Sequence, residues 1–168
     1  MITLYNVVSA DGFIADKNES EDFIPDEVWD DFLELCDTYD TLIIGKNTYA
    51  AIQSFGKELV EPFENTNIRK VIITRDESFI SKAMYEKARS IDDALKMGSD
   101  ILLSGGPILN TAFLKRKLIN QIILNRLPMT LGAGIPQFET DTIPQLILLP
   151  KLTRKMGGKR KLEFYMIN

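Results

Sequence analysis

The sequence contains no histidine and a single cysteine, Cys36. The first absence removes Ser-His-Asp and Cys-His nucleophilic catalysis, imidazole acid–base chemistry and His-ligated metal centres together. The second removes an intramolecular disulfide and a thiolate metal cluster, and sparse cysteine suits a reducing compartment. No apolar run reaches the ~18 residues that a membrane span needs. The opening MITLYNVVSADG has no basic leader, so neither membrane nor export is expected and the expected location is cytoplasmic. Difficult chemistry would therefore fall to a bound cofactor, or to carboxylates, Lys, Tyr and backbone groups.

What is present is a chain of 168 residues, 45% hydrophobic and 26% charged, the make-up of one compact domain spanning residues 1–168. Folding at this length buries roughly 70% of the unfolded chain's surface, so no covalent or metal staple is required. A net charge of −4 argues against a nucleic-acid partner, but its distribution is uneven: residues 1–40 hold twelve acids and one cation, Lys17. The remainder has an excess of cations able to face an anion. Lys151, Arg154, Lys155, Lys159, Arg160 and Lys161 cluster about Gly157-Gly158, which reads as the solvated tip of a hairpin.

Short β-branched apolar runs predict strands at residues 2–9, 41–44, 70–74, 100–103, 121–127, 145–153 and 161–167. Helical spacing predicts helices at 26–36, where Val28, Phe32 and Leu35 share a face with acids opposite, and at 48–54, 91–97 and 109–115. The alternation implies an α/β fold whose mainly parallel sheet runs to about residue 127, followed by an antiparallel hairpin turning at 156–159. Residues 119–127 have the composition of an interior strand and equally of a sheet edge joining two copies.

In open α/β sheets ligands bind beyond the carboxyl ends of the strands. Gly45-Lys46-Asn47-Thr48-Tyr49 follows one predicted strand there and Ser104-Gly105-Gly106-Pro107 another. Each offers free backbone N–H groups and a positive helix end to a phosphate. Thr74-Arg75-Asp76 follows a third, with a hydroxyl and a guanidinium able to clamp a further phosphate. Neither G-x-G-x-x-G nor a P-loop is present, but three such junctions along one edge suit a dinucleotide better than a mononucleotide.

Five motifs in order, Ser9-Ala10-Asp11-Gly12-Phe13-Ile14-Ala15, Ile43-Ile44-Gly45-Lys46-Asn47-Thr48-Tyr49, Ile73-Thr74-Arg75, Ser104-Gly105-Gly106-Pro107 and the segment from Pro128 to Pro136, resemble the signatures of dihydrofolate-reductase-like domains. The closer resemblance is to the reductase domain of the bacterial riboflavin-biosynthesis deaminase-reductase and its stand-alone relatives. It implies a three-layer sandwich with an antiparallel C-terminal strand, NADPH as cofactor, and hydride transfer to a C=N or C=O group of a small heterocyclic or ribosylamino-pyrimidine-like substrate, as in a 5-amino-6-(5-phosphoribosylamino)uracil reductase. By position it assigns Gly45, Lys46, Asn47 and Thr48 to the cofactor phosphates, and Thr74 and Arg75 to the adenosine 2′-phosphate. Ser104, Gly105, Gly106, Pro107, Ile108 and Leu109 would lie beneath the pyrophosphate and nicotinamide, with Val8, Ile14 and Ala15 on the nicotinamide side. Asp11-Gly12 would open a mobile loop, and family habit implies a homodimer.

Dihydrofolate reductases carry an acid on the first helix that meets the pterin. An ungapped count back from Gly45 reaches Trp29, with Glu27 and Asp30 out of register. This departure favours a relative with a different substrate, for which Trp29 and Phe32 would form a flat apolar wall. Asn6, Asp11, Tyr49 and Trp29 are then the candidate residues near the reacting group, Tyr49 reading more readily as packing. A nucleotide-binding or assembly module that has lost turnover, and an authentic dihydrofolate reductase, are the alternatives.

Overall fold

The computed structural model of the chain describes residues 1–139 and 144–167. Its elements are β1 (Ile2–Val8), β2 (Phe13–Asp16), α1 (Glu27–Cys36), β3 (Thr41–Gly45), α2 (Lys46–Gln53), α3 (Lys57–Glu64), β4 (Arg69–Ile73), β5 (Tyr85–Ala88), α4 (Ile91–Leu95), β6 (Ile101–Leu103), α5 (Pro107–Lys115), β7 (Gln121–Arg126), β8 (Gly134–Pro136), β9 (Leu146–Leu148), β10 (Arg154–Lys155) and β11 (Lys161–Ile167).

The alternation of side chains along each strand sets the layers. β1 sends Ile2, Leu4 and Val8 to one face, where they join Ala94 of α4 and Phe113 of α5. Its Tyr5 goes to the other, with Phe32 of α1, Tyr49 and Ile52 of α2, and Phe63 of α3. With helices on both sides the central strands are buried on both faces, which is why β3 and β6 read as continuous apolar runs.

The large sheet runs β10-β11-β7-β1-β6-β3-β4-β5, with β9 also paired to β11. Strands β7 through β5 in that order are mutually parallel, and β11 lies antiparallel on β7. The registers Ile43↔Leu103, Gly45↔Ile73 and Val8↔Arg126 align the carboxyl ends of neighbouring strands. The segments after β3, β4 and β6 therefore emerge along one edge, which positions the site.

Several expectations are corrected. Residues 145–153 form only the short β9; the chain then turns, Leu152 and Thr153 both donating to the Leu149 carbonyl, beside Pro150, which has no N–H for a ladder. The hairpin at 156–159 exists but pairs just Arg154↔Leu162 and Lys155↔Lys161. Residues 119–127 contain β7, which lies between β1 and β11 and is an interior strand, not an edge. Helices α2 and α5 begin two residues earlier than predicted, α5 with Pro107 in its first turn, where a missing N–H costs no hydrogen bond. Strands β2 and β8, which form a separate antiparallel pair, the edge strand β5 and the helix α3 were not predicted. Pro62 disguises α3, whose Val60 and Phe63 are nonetheless buried.

Candidate functional site

Helices α2 and α5 start at the ends of β3 and β6, which are hydrogen-bonded neighbours. Their N-caps are Gly45 and Gly106, both extended and neither providing a side-chain cap. Two sets of first-turn N–H groups thus face outward side by side, with two positive helix ends behind them. A Cβ built on Gly106 meets nothing within 4 Å, and one on Gly45 meets only Leu109 Cδ2 at 3.8 Å. The protein's own packing does not require glycine at either position; a ligand lying against the backbone would.

Gly105 differs. Its Cβ would stand 2.9 Å from Leu109 Cδ2 and 3.1 Å from Asn110 Oδ1, so the missing side chain lets α5 approach the turn. Around this edge Ser104 is fixed by its N–H to the Ile43 carbonyl, Leu109 is half-buried and Ile108 stands 76% exposed beside the cradle. Asn47 is exposed and Thr48 half-buried in the first turn of α2.

On the β4 side, Arg75 is exposed and makes no hydrogen bond or ion pair with any described residue. Lys46 is already engaged, its Nζ 3.2 Å from Asp76 Oδ2. The Thr74 hydroxyl accepts the Asp76 N–H at 3.1 Å. Ser78 first, then Lys46, hold the Asp76 carboxyl below its ordinary range. A 2′-phosphate at this corner would meet a free guanidinium and a cation shared with a carboxylate.

Asn6 is buried and committed: its Nδ2 donates to the Gly105 carbonyl at 3.1 Å, and its Oδ1 accepts from Asn110 Nδ2 at 3.0 Å and Gln137 Nε2 at 3.1 Å. Asn110 and Gln137, which sequence reasoning did not single out, help hold the glycine turn. A polar residue among the inward-facing positions of α5, where Thr111 is buried as well, was the available signal for Asn110. Asp11 accepts from the Ser9 hydroxyl at 2.6 Å and from the N–H groups of Leu131 and Gly132 at 3.1 and 2.8 Å. These bonds, the Ser9 hydroxyl foremost, hold its carboxyl down at about 2. With the Ala10 N–H on the Met129 carbonyl at 2.7 Å, they clasp residues 9–12 to 129–132. Val8 and Ala15 are buried and Ile14 is half-buried beside this clasp.

On α1 the Trp29 indole N–H donates to the Leu59 carbonyl at 2.7 Å, and its ring lies 5.4 Å from Phe32 and Phe55 and 5.5 Å from Phe63. Trp29 therefore ties α1 to α3. The acid that faces the sheet is Asp31, two residues later, which accepts from Asn125 Nδ2 at 2.9 Å and is ion-paired with Arg160. Their side chains are only 15% and 8% exposed. Glu27 and Asp30 are exposed. Tyr49 is buried, its hydroxyl accepting the Lys82 N–H at 3.1 Å and its ring edge-on to Phe79 and Tyr85. Among the described residues no group of three acidic or cysteine side chains is placed to hold a metal, and no helix is long and apolar enough to cross a membrane.

The sheet order, the three layers and the paired helix ends define a dihydrofolate-reductase-like α/β architecture. Schistosoma mansoni dihydrofolate reductase superposes with a TM-score of 0.67 at 13% identity, covering 99% of this chain and 98% of that one. Acinetobacter baumannii RibD gives 0.76 at 15% identity, covering 99% of this chain and 57% of that one. The uncharacterized protein YwjB of Bacillus subtilis (strain 168) is 32% identical over 177 residues, 96% of this chain and 95% of its own. The model of the RibD C-terminal domain matches residues 93–159. The chain belongs to the RibD C-terminal domain family.

Proposed function

We propose that the protein is an NADPH-dependent reductase acting on a C=N or C=O carbon of a small heterocycle of the ribosylamino-pyrimidine type. The observation that carries this reading is the pair of glycine-capped helix ends at β3 and β6, where Cβ atoms on Gly45 and Gly106 would fill space that the protein itself leaves free. Those N–H groups, with Asn47, Thr48 and the turn from Ser104 to Leu109, would hold the pyrophosphate. Thr74 and Arg75, with Lys46, would hold the 2′-phosphate. Val8, Ile14 and Ala15 would border the nicotinamide. NADPH, when bound, supplies the hydride.

The chain's own contribution is then orientation and exclusion of water. Asn6, Asp11 and Tyr49 all use polar atoms on intrachain bonds, so the proton is best drawn from solvent or the substrate. The same commitment favours, as a second reading, a nucleotide-binding module without turnover. The buried pairing of Asp31 with Arg160 counts against an authentic dihydrofolate reductase, whose acid must be free to meet a pterin. A cytoplasmic homodimer completes the proposal, exposed Ile147, Leu148, Leu152 and Met166 being candidates for its interface; sedimentation measures that state.

The test is NADPH oxidation over dihydrofolate, ribosylamino-pyrimidines and small carbonyls, beside binding titrations with NADPH and NADH. Turnover of a pyrimidine with NADPH supports the reductase. Tight binding without turnover of any compound supports the module, and binding of neither cofactor refutes both.

A further inference from the structure

Where β7 ends and β11 begins, a cleft of about 160 Å³ has Phe23, Pro25, Leu127, Pro128, Met129 and Arg160 in its lining. Arg160 is an unusual group to find there. Its residue is 7% exposed, its Nε donates to the Gly157 carbonyl at 3.1 Å and its Nη1 bonds Asp31. Its Nη2 bonds no described residue. A guanidinium fixed through Nε and Nη1, with Nη2 left open in the lining of a mostly apolar cleft, is complementary to an incoming oxygen. Asp31 and the Gly157 carbonyl hold its plane in place, so little ordering remains to be done on binding.

We propose that Arg160 is the anchor for the substrate of this cleft, and that it receives an oxyanion carried on a flat ring. An apolar cavity of about 150 Å³ accommodates benzene, so the space suits one six-membered ring with its acidic group on Nη2. Strand β7 lies two strands from β6, about 10 Å at the usual ~4.8 Å spacing. A ring held there sits on the same sheet edge as the glycine cradle. Glu27, exposed at the rim of the cleft, is the opposing charge. The proposal rests on the reductase reading for what the anchored compound undergoes, but the anchoring is independent of cofactor.

The probes are benzoate, benzamide and benzylamine, titrated into cofactor-free protein by NMR. Benzoate is expected to bind at least tenfold more tightly than the other two, with nuclear Overhauser contacts to the Met129 methyl group. Arg160→Met should remove that preference, and Glu27→Gln should leave it or strengthen it. Because Arg160→Met strands Asp31, the double variant Asp31→Asn/Arg160→Met is measured beside it and should show the same loss. No preference for benzoate in the wild-type protein, or benzoate binding unchanged in a folded Arg160 variant, overturns the proposal. Failure is separable from that of the reductase reading: benzoate binding without NADPH binding leaves the anchor standing, and NADPH binding without benzoate binding removes the anchor alone.

Discussion

Valine at position 106 and valine at position 105 should have opposite consequences, although the two glycines are adjacent in one motif. At Gly106 the backbone has φ −82° and ψ −179°, which valine adopts freely, and no atom lies within 4 Å of a new Cβ. Stability should therefore fall by no more than about 1 kcal/mol, the loss of a favoured N-cap residue. The added methyl groups would occupy the cradle, and NADPH affinity should fall at least ~100-fold. At Gly105 the new Cβ begins 2.9 Å from Leu109, pressing on α5 itself. Overpacking of that kind costs about 1–3 kcal/mol. Thermal unfolding with and without NADPH separates the two. At a concentration of one hundred times the wild-type Kd, NADPH adds about 2.7 kcal/mol, or roughly 5–11 °C in Tm for a chain this long. For Gly106→Val, with affinity lowered ~100-fold, the same concentration adds about 0.4 kcal/mol, or 1–2 °C. An unliganded Tm close to wild type with the full NADPH shift retained would refute the cradle.

Arg75→Ala should weaken NADPH by about 1.5–3 kcal/mol, the range for a charge-assisted hydrogen bond, and leave NADH nearly unchanged; equal losses in parallel titrations would remove Arg75 from the 2′-phosphate. Glu27→Gln and Asp30→Asn should each slow single-turnover NADPH oxidation by less than ~10-fold, below the loss expected of an essential general acid, and a large loss with pH-dependent rescue would restore an acid-assisted mechanism. Asp11 is held at about 2 in the folded chain against an ordinary 3.8, so its stabilisation is present above pH 4 and lost as pH falls from 4 through 2. Urea unfolding of Asp11→Asn should show a shallower loss of stability over that window, and an unchanged slope would mean the clasp contributes nothing. Cys36 is fully buried with its thiol pushed up to about 12 by desolvation, so iodoacetamide at pH 8 should label it only after denaturation; rapid labelling of native protein would contradict the packing of α1.

The parts of the fold that were legible from sequence are those where burial writes a local pattern. β1, β3, β4, β6 and β7 are buried on one or both faces and show it as β-branched runs, and the glycine junctions after β3 and β6 mark where strands hand over to helices. β5 was not legible because it is an edge strand reading Tyr-Glu-Lys-Ala, with only its ends buried. β2 and β8 depend on pairing each other across some 120 residues, which no local window records. The site divides the same way. The cradle follows from glycine at a strand end, a local signal, whereas the roles of Asn6, Asp11 and Asp31 are decided by distant partners: Gly105 and Gln137, Leu131 and Gly132, Asn125 and Arg160. An ungapped count could not distinguish Trp29 from Asp31, because which side of α1 meets the sheet depends on packing against β7 and α3.

The central claim is that a dinucleotide lies across the ends of β3 and β6. It is tested most directly by following backbone amide resonances of the labelled protein during an NADPH titration. The account predicts that the N–H signals of Lys46, Asn47, Thr48, Gly105, Gly106, Ile108 and Leu109 move together and saturate, with Arg75 joining them for NADPH and not for NADH. Saturable shifts confined to other parts of the chain, or none at these amides at saturating NADPH, would contradict it.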